Sequence, residues 1–286
     1  MDPVAWRQQR SFPPGAFSGV LATRRASVAV CVPARDEAET IAGVLQPLVA
    51  LREDGLVDDV CVAAGPCTDA TVELARGAGA RIVAVGAEGL GKGDAVWRAL
   101  PSLDADVVCL IDGDLVDVDA HWVEQLAGPL LRDPAVMLVK GAFARPLNAD
   151  GTLDPSGGGR VTELLAKPLL ARFWPELATL RQPLSGQVGA RREHLLATPI
   201  WTGYALEIGL LLDTWRSGGL AAIAEADIGT VRNRHQRLAD LRAMAEGILW
   251  CASVHLEREG RLADVGAEPA EGVVERPPRA AVGLGR

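Results

Sequence analysis

The chain has 286 residues, 49% of them hydrophobic, and a formal net charge of −8. That length and composition are enough for a full hydrophobic core, in one large domain or in one domain with a helical extension. The acidic balance argues against a surface that binds nucleic acid or an anionic membrane, where a basic stripe would be expected. Because the sequence has no signal core and no apolar run of membrane length, we expect a cytoplasmic protein.

Five cysteines are present, and no pair of them has the spacing of a zinc site or of a redox Cys-x-x-Cys motif. Cys31, Cys61 and Cys109 fall inside apolar, strand-like runs. A free thiol in such a run behaves as a small hydrophobic group. We therefore expect these three side chains in the core of a protein from a reducing compartment.

Residues 1–25 carry Pro13-Pro14-Gly15 and scattered arginines, which predicts a loosely packed arm before the first strand. The run 27–32 is apolar almost throughout, as a strand covered on both faces would be. Pro33 ends this run. A helix is expected next, with Asp36 as its cap.

The alternation of strand and helix continues to residue 140. Short apolar runs predict strands, and amphipathic stretches between them predict helices. The predicted strands are 60–63, 82–85, 107–111 and 136–140, and the helices between them begin near Thr68 or Asp69, at Ala95 and at His121. This order predicts an α/β fold with a Rossmann-like, mostly parallel sheet flanked by helices.

The alternation stops after residue 140. Residues 141–160 are rich in proline and glycine, and we interpret them as the start of a second half, 141–257. Within this half the pattern predicts helices over 161–170, 204–215 and 238–257, and a short strand over 222–226. Residues 258–286 have few large apolar side chains, so we expect a disordered tail.

The strand predicted at 107–111 ends in Asp112-Gly113-Asp114. Two carboxylates one residue apart, with a glycine that lets the chain approach a ligand, can hold Mg²⁺ or Mn²⁺ against a diphosphate. The alternative is an ordinary turn after a strand. Lys92 lies in a glycine-dense loop, where it could share the phosphate charge or could simply be a solvated lysine.

Ligands of an open α/β sheet bind beyond the carboxyl ends of its strands. The predicted strands of the first half are followed there by polar or small residues, among them Pro33-Ala34-Arg35-Asp36-Glu37, Gly91-Lys92-Gly93 and Asp112-Gly113-Asp114. One crevice would collect these groups. Together they indicate a nucleotide diphosphate site, in which the lysine and a cation stabilise a departing leaving group.

The order of these motifs resembles the GT-A glycosyltransferases, and more narrowly the retaining glucosyl-3-phosphoglycerate synthases. The resemblance runs from about Val28 to Ala245. Its most specific blocks are Gly91-Lys92-Gly93-Asp94-Ala95, Gly157-Gly158-Gly159-Arg160-Val161-Thr162-Glu163-Leu164, Gln182-Pro183-Leu184-Ser185-Gly186 and Gly203-Tyr204-Ala205-Leu206-Glu207-Ile208-Gly209. It implies a GT-A fold in which residues 26–140 bind the nucleotide sugar and residues 141–257 form a helical, acceptor-binding part.

The resemblance implies retaining transfer of a hexose from a nucleotide diphosphate sugar, UDP-glucose in the family, to 3-phosphoglycerate with Mg²⁺ or Mn²⁺. The residues carried over to the donor side are Pro33, Ala34, Glu37, Lys92, Asp112, Gly113 and Asp114. The first three would line the uridine. Lys92 would meet the phosphates, and Asp114 would ligate the metal with Asp112 close by.

The residues carried over to the acceptor and sugar side are Gly159, Arg160, Val161, Thr162, Leu184, Ser185, Tyr204, Glu207, Arg232, Asn233 and His235. Bare N–H groups of a glycine run and a guanidinium both suit phosphate and carboxylate oxygens. Glu207 lies in an apolar, helix-like run, where a carboxylate is costly unless it is paired or functional. The resemblance makes it catalytic, together with Lys92 and Asp114. The alternative is a buried ion pair with Arg191 or Arg192.

Two departures from the family pattern concern the ligands. The family usually has Asp-Ser-Gly-Ser where this chain has Ala64-Gly65-Pro66-Cys67, so the preference for base or sugar could differ. The family also reads Arg-x-His-x-Asn with the histidine on the metal, whereas this chain reads Arg232-Asn233-Arg234-His235. Either Asn233 or His235 could therefore be the second metal ligand.

Three alternatives to UDP-glucose transfer follow from these observations. The first is a related transferase with another acceptor or another donor, such as GDP-mannose. The second is a sugar-phosphate nucleotidyltransferase, which would need a glycine-rich basic signature directly after the first strand, unlike Pro33-Ala34-Arg35-Asp36-Glu37. The third is a binding protein without catalysis. Because the family often forms dimers, we also expect a homodimer.

Overall fold

The computed structural model describes residues 1–84, 90–145, 147–149, 152–154, 159–233, 238–261 and 274–282. The strands are β1 Ser11–Phe12, β2 Val28–Ala34, β3 Asp59–Ala64, β4 Arg81–Ala84, β5 Val107–Leu110, β6 Leu115–Val116, β7 Leu138–Ala144, β8 Leu147–Ala149, β9 Thr152–Asp154, β10 Val188–Arg191, β11 Ile200–Trp201, β12 Ile223–Thr230, β13 Arg232–Asn233 and β14 Glu275–Arg276. The α-helices are α1 Pro3–Arg10, α2 Ile41–Glu53, α3 Thr71–Gly77, α4 Lys92–Ala99, α5 His121–Arg132, α6 Lys167–Phe173, α7 Arg192–Ala197, α8 Leu206–Gly218 and α9 Leu238–Arg258.

Eight of these strands form the main sheet, in the order β1-β12-β7-β10-β5-β2-β3-β4. Every neighbouring pair runs parallel except the two that involve β10, which is antiparallel to both β7 and β5. The predicted, mostly parallel sheet flanked by helices is therefore confirmed. Since β10 comes from the second half of the chain, both halves contribute to one continuous sheet.

Helices cover both faces of the sheet, which explains why its central strands are apolar throughout. Along β2, Val28, Val30 and Val32 pack into a cluster with α2 and α5, whereas Cys31 packs on the opposite face with α4 and α8. Cys31, Cys61 and Cys109 are buried and unpaired, as predicted. Within the described residues, no helix combines the length and apolar character needed to span a membrane.

The amino-terminal residues are part of the core, so the prediction of a loose arm over 1–25 is wrong. Trp6 of α1 is 0% exposed, and its Nε1 donates to the carbonyl oxygen of Ile223 at 2.8 Å. Strand β1 extends the sheet beside β12. Phe17 and Leu21 are also buried. The sequence signal was missed because isolated apolar residues between prolines show no periodicity.

The predicted cap at Asp36 is also wrong. Helix α2 begins at Ile41, and Asp36 has a backbone φ of +58°, in the left-handed region. Its carboxylate instead accepts a hydrogen bond from the backbone N–H of Thr68 at 2.6 Å. Asp36 therefore connects the loop after β2 to the loop after β3 by a hydrogen bond. The short side chain of an aspartate in a turn readily accepts hydrogen bonds from nearby backbone N–H groups.

The prediction of a disordered tail does not hold for residues 274–282. Strand β14 pairs antiparallel with β11, and Arg276 Nη2 lies 2.6 Å from Asp94 Oδ1. Trp97 Nε1 donates to the carbonyl oxygen of Pro277 at 2.9 Å. Residues 262–273 and 283–286 lie outside the described residues. The segment 274–282 is held by polar and stacking contacts to α4, which apolar content alone does not reveal.

The ion pair between Asp94 and Arg276 allows a test of whether the carboxyl-terminal segment stabilises the fold. It is 3% exposed and pairs with Arg98 and Arg276. Arg276→Ala leaves a buried carboxylate with one partner fewer, and we expect it to lower the free energy of unfolding by about 2 kcal/mol in urea titrations.

Arg279→Ala is the matched control, because Arg279 stacks 4.3 Å from the ring centroid of the same Trp97 and is not among the ion-pair partners of Asp94 in the described residues. We expect it to lose about 0.5–1 kcal/mol. Equal losses in the two variants would contradict a specific role for the Asp94 pair.

Candidate active site

The loops after β2 and β5 touch at the carboxyl edge of the sheet. A Cβ built on Gly113 would lie 3.2 Å from Ala34 Cβ, 3.3 Å from the Pro33 carbonyl oxygen and 3.6 Å from Glu37 Cγ. The Gly113 carbonyl oxygen also accepts a hydrogen bond from Thr40 Oγ1 at 2.7 Å. The residues predicted to line the uridine therefore lie directly beside the Asp112-Gly113-Asp114 turn, as expected for loops at the ends of neighbouring parallel strands.

Lys92 is placed by the first turn of α4. Gly91, just before it, has a backbone φ of +83°, and a Cβ on Gly93 would overlap the carbonyl oxygen of Trp201. Only glycine fits both positions, because one needs the left-handed region and the other a backbone without a side chain. This close approach brings the amino-terminal end of α4 against the segment that leads into α8.

The amino group of Lys92 joins two carboxylates from different elements. Its Nζ pairs with Asp112 Oδ1 at the end of β5 and lies 2.7 Å from Glu207 Oε1 in the first turn of α8. Burial by itself acts to lower the pKa of Lys92, but the charges of Asp112 and Glu207 outweigh it and raise that pKa above its ordinary value. Lys92 is therefore a fixed cation at neutral pH.

The alternative partners considered for Glu207 are not the ones observed. Arg191 donates from Nη2 to the carbonyl oxygen of Leu130 at 2.8 Å and from Nε to that of Val136 at 2.9 Å. In the described ranges, the salt-bridge partner of Glu207 is Lys92. The idea of an ion pair with Arg191 or Arg192 is therefore wrong, and Glu207 belongs to the same cluster as the Asp112 turn.

Gln187 holds the other side of Asp112 and was missed from the sequence. Its Nε2 donates to Asp112 Oδ2 at 3.1 Å, and its Oε1 accepts from the Asp112 backbone N–H at 3.4 Å. A Cβ on the preceding Gly186 would overlap Asp112 Oδ2 and lie 2.6 Å from Lys92 Nζ. The block at 182–186 that carries the family resemblance ends one residue before this glutamine. Its position directly after that block was therefore the only sequence signal that could have indicated it.

The Asp112-Asp114 pair has the charge that a divalent cation would need. Burial, and then the charge of Asp112, raise the pKa of Asp114, while Lys92 and Arg145 act in the opposite direction. A divalent cation beside these carboxylates would relieve both effects, and carboxylate oxygens are the ligands that Mg²⁺ and Mn²⁺ prefer. The residues present therefore fit such an ion, with Arg145 as a further cation that the sequence did not indicate.

The predicted acceptor residues lie around the start of the helical segment after residue 158. Gly159 has a backbone φ of +78°, and its carbonyl oxygen accepts from the backbone N–H of Glu163 at 3.0 Å. Helical structure begins at Arg160, continues as a π-helix over Thr162–Ala166 and passes into α6. Thr162 is buried. Gly157 and Gly158 lie outside the described residues.

The remaining predicted site residues lie in three different segments of the chain. Leu184 and Ser185 lie in the segment before Gly186, and Tyr204 is in the 3₁₀ turn before α8. Strand β13 pairs with β6 so that Asn233 is in register with Leu115, the residue after Asp114. Arg232 Nη1 lies 3.3 Å from Asp117 Oδ2. The prediction for His235 falls outside the described residues.

Comparison with known proteins gives the family. Residues 29–165 match the family described as Glycosyl transferase family 2. The chain is 41% identical over 229 residues to the glucosyl-3-phosphoglycerate synthase of Mycolicibacterium smegmatis. This alignment covers 78% of this chain and 75% of that protein. It is also 40% identical over 248 residues to the Mycobacterium tuberculosis protein of the same name, with 82% and 76% covered.

Solved structures agree over a larger part of the chain. The mannosyl-3-phosphoglycerate synthase of Rubrobacter xylanophilus superposes with a TM-score of 0.86, at 35% identity and 98% coverage of each chain. The glucosyl-3-phosphoglycerate synthase of M. tuberculosis, solved with Mn²⁺, UDP-glucose and phosphoglyceric acid, gives a TM-score of 0.78, with 36% identity and 94% coverage of each. The fold is thus the expected GT-A fold, and the chain belongs to the glucosyl-3-phosphoglycerate synthase family of glycosyltransferases.

Proposed function

We propose that this glycosyltransferase moves glucose from UDP-glucose to 3-phosphoglycerate, with retention at the anomeric carbon and with Mg²⁺ or Mn²⁺. The observation that supports this most is the contact of Lys92 with Asp112 and Glu207, next to Asp114 and at the edge where the strands end. The M. tuberculosis relative was solved with Mn²⁺, UDP-glucose and phosphoglyceric acid together. Its 36% identity over 94% of both chains makes the same ligands the first choice here.

On the donor side, Lys92 supplies a fixed positive charge for the diphosphate. Asp114, with Asp112 beside it, would hold the metal, which when bound neutralises the charge that develops on the departing diphosphate. Pro33, Ala34 and Glu37 border the same crevice and are proposed to contact the nucleoside. Because Lys92 is already held by two carboxylates, it does not need to be reordered when the donor enters, which favours leaving-group stabilisation.

Glu207 is proposed to bind the sugar rather than to act as a free base. Its Oε1 already accepts a hydrogen bond from Lys92, and the other carboxylate oxygen can accept one from a sugar hydroxyl. Such a contact would fix the hexose above the Lys92 cation. Leu184 and Ser185 directly precede Gly186, which packs against Asp112 and Lys92, and are proposed to line the same sugar site. Tyr204, in the turn before α8, is proposed to contribute to it as well.

On the acceptor side, Arg160 and Thr162 are proposed to hold 3-phosphoglycerate, with Gly159 and Val161 contributing backbone. A helix start offers N–H groups and a partial positive charge to an anion, and Arg160 adds a guanidinium that can bind two oxygens at once. Arg232, Asn233 and His235 are proposed to complete this side.

The donor could instead be GDP-mannose, and two observations favour testing it. The high TM-score to a mannosyl-3-phosphoglycerate synthase shows that the same backbone serves a relative named for mannose. The segment Ala64-Gly65-Pro66-Cys67 also lacks the carboxylate and hydroxyls that the family usually places there. Incubation of UDP- and GDP-hexoses with 3-phosphoglycerate and related acids, read by mass spectrometry, separates these donors. Absence of any glycosyl product would leave a binding protein.

We further propose that the enzyme is a homodimer of the cytoplasm. The five free cysteines are consistent with a reducing compartment. The dimer rests on the family resemblance, and light scattering of the purified protein measures it.

The first prediction concerns the metal. Asp114→Asn removes the counter-charge for the leaving diphosphate, and we expect kcat to fall by about 100-fold to 1,000-fold. Folding should be unaffected or slightly improved, since burial and Asp112 disfavour the Asp114 carboxylate. Steady-state rates and thermal melts check both points. Asp104→Asn, at an exposed position, is the control; near-wild-type turnover in the Asp114 variant would remove the metal proposal.

The second prediction concerns the acidic acceptor. Arg160→Ala should raise the acceptor KM by about tenfold to 100-fold, because a charge-assisted hydrogen bond contributes about 1.5–3 kcal/mol. The donor KM should stay within about twofold. Arg172→Ala, on the exposed face of α6, serves as the matched control. Equal changes in the donor and acceptor KM would mean that Arg160 supports the fold and not the acceptor.

The third prediction separates Asn233 from His235. If His235 is the ligand, His235→Ala should weaken Mn²⁺ binding more than Asn233→Ala does. Metal affinity should then also fall as the pH drops through the range in which an imidazole takes up a proton, because a protonated imidazole cannot ligate. If Asn233 is the ligand, its variant is the metal-deficient one and the pH dependence is absent. A Mn²⁺ titration of both variants decides this, and unchanged affinity in both would show that neither residue touches the metal.

A further inference from the structure

Lys140 is a buried lysine that the proposed reaction leaves without a role. It lies in the middle of β7 and is 0% exposed. Its neighbours in register are Val188 of β10 and Glu225 of β12. A lysine at such a position is costly, because the sheet around it cannot solvate an ammonium group.

The hydrogen bond of Lys140 goes to a backbone carbonyl. Its Nζ donates to the Ser185 carbonyl oxygen at 2.6 Å. Glu225 is engaged elsewhere, since its carboxylate accepts from the backbone N–H of Arg181 at 2.6 Å and from Arg181 Nε at 2.8 Å. Of the carboxylates in the described ranges, none lies within 4.0 Å of Lys140 Nζ. Among the described residues, the ammonium form of Lys140 therefore has no direct counter-ion.

Residues 181–187 run from this lysine to the catalytic cluster. Gln182 Nε2 donates to the Phe143 carbonyl oxygen at 3.2 Å, and the Gln187 carbonyl oxygen accepts from the Gly141 backbone N–H at 2.9 Å. Lys140 holds the middle of the segment between these two points. Gly186, which follows Ser185, is the residue whose backbone packs against the side chains of Asp112 and Lys92. A shift at Ser185 would therefore move the wall of the proposed sugar site.

We propose that Lys140 is a positioning residue for sugar transfer: it holds residues 181–187 against Lys92 and Asp112, and it takes up a proton when the anionic donor binds. This inference rests on the proposed transfer from a nucleotide sugar. Lys140 does not touch the reacting atoms. It acts through the Ser185 carbonyl and through its charge beneath the donor site.

The charges around Lys140 explain the proton uptake. Burial lowers the pKa of Lys140; the nearby Glu207 acts to raise it, Lys92 to lower it and Asp112 to raise it, and together these effects place it at about 7. In the free enzyme the amine and ammonium forms are therefore both populated near neutral pH. A bound diphosphate adds negative charge next to Lys92 and favours the ammonium form, so that by linkage donor binding weakens as the pH rises.

The sequence makes a direct measurement feasible, because it contains three lysines, at positions 92, 140 and 167. Labelling with [ε-¹³C]lysine gives one NMR signal for each, assigned with the Lys92→Met and Lys167→Met variants. We expect the Lys140 signal of the wild-type protein to titrate near pH 7 and to move upward by about one unit or more with UDP-glucose and Mg²⁺. A Lys140 signal that titrates above pH 9 without ligand, or that the donor does not shift, overturns the proposal.

Variants test the consequence for catalysis. Lys140→Met keeps an unbranched side chain, one atom shorter, and removes the amino group. We expect kcat to fall by about tenfold or more, with the acceptor KM within about twofold of wild type. Donor affinity, measured by calorimetry from pH 6 to 9, should decline with pH in the wild-type protein and should be flat in Lys140→Met. Lys167→Met is the control, because Lys167 pairs with Glu163 on an exposed helix face.

The outcomes for this inference and for the proposed function can be told apart. A wild-type protein that makes glycosyl product while Lys140 fails to titrate near neutral pH overturns only the role of Lys140. Wild-type protein that binds no UDP- or GDP-hexose overturns the proposed function, and with it the proton uptake. A Lys140→Met variant with normal kcat and the wild-type pH dependence also rejects the positioning role, and the NMR measurement needs no folded Lys140 variant.

Discussion

The contact of one lysine with two carboxylates determines how the rest of this structure is arranged. Lys92 opens α4, Asp112 follows β5, and Glu207 lies in the first turn of α8, so that three segments far apart in sequence must meet at one point. Partly buried ions of this kind tolerate little displacement, because a charge that loses its partner away from bulk water is costly. The glycines at 91, 93 and 186 then follow as requirements, since each allows a backbone approach that a side chain would prevent. The site is therefore specified by packing as much as by its charged residues.

The electrostatics divide the cluster into charges that are fixed and charges that can change. Lys92 is held as a cation by its two partners, whereas Asp114 and Lys140 are both disfavoured in their charged forms by burial. A metal and a diphosphate bring opposite charges to this region, and each would relieve one of these two residues. With the proposed ligands, binding and the protonation of the protein would therefore be coupled at Asp114 and at Lys140. The cost of burying these groups is consistent with a site that is complete only with its ligands.

The sequence predicted the sheet, the crevice and the Lys92 and Asp112 groups because these depend on strand periodicity and on the edge where parallel strands end. It did not predict that Trp6 enters the core or that residues 274–282 pack on α4, since both depend on single contacts without a repeating pattern. Gln187 and Lys140 were missed for a related reason. Each is a polar residue whose role comes from a neighbour more than forty residues away, Asp112 in one case and Ser185 in the other. Local pattern carries no information about such partners.

Strand β10 has a consequence for how this chain can be handled and how it folds. It lies between β5 and β7 and is the only antiparallel member of the main sheet in the described residues, although it begins at Val188, well after β7 ends at Ala144. Until residue 191 has left the ribosome, β5 and β7 each expose an open edge with unpaired N–H and C=O groups. A fragment that stops before β10 also lacks β12, so it would carry one open edge of β5 and both edges of β7 into solution and would be prone to self-association. Residues 26–140 are therefore not expected to form a separable module, and a fragment in which β5, β10 and β7 are all paired on both sides must extend through β12.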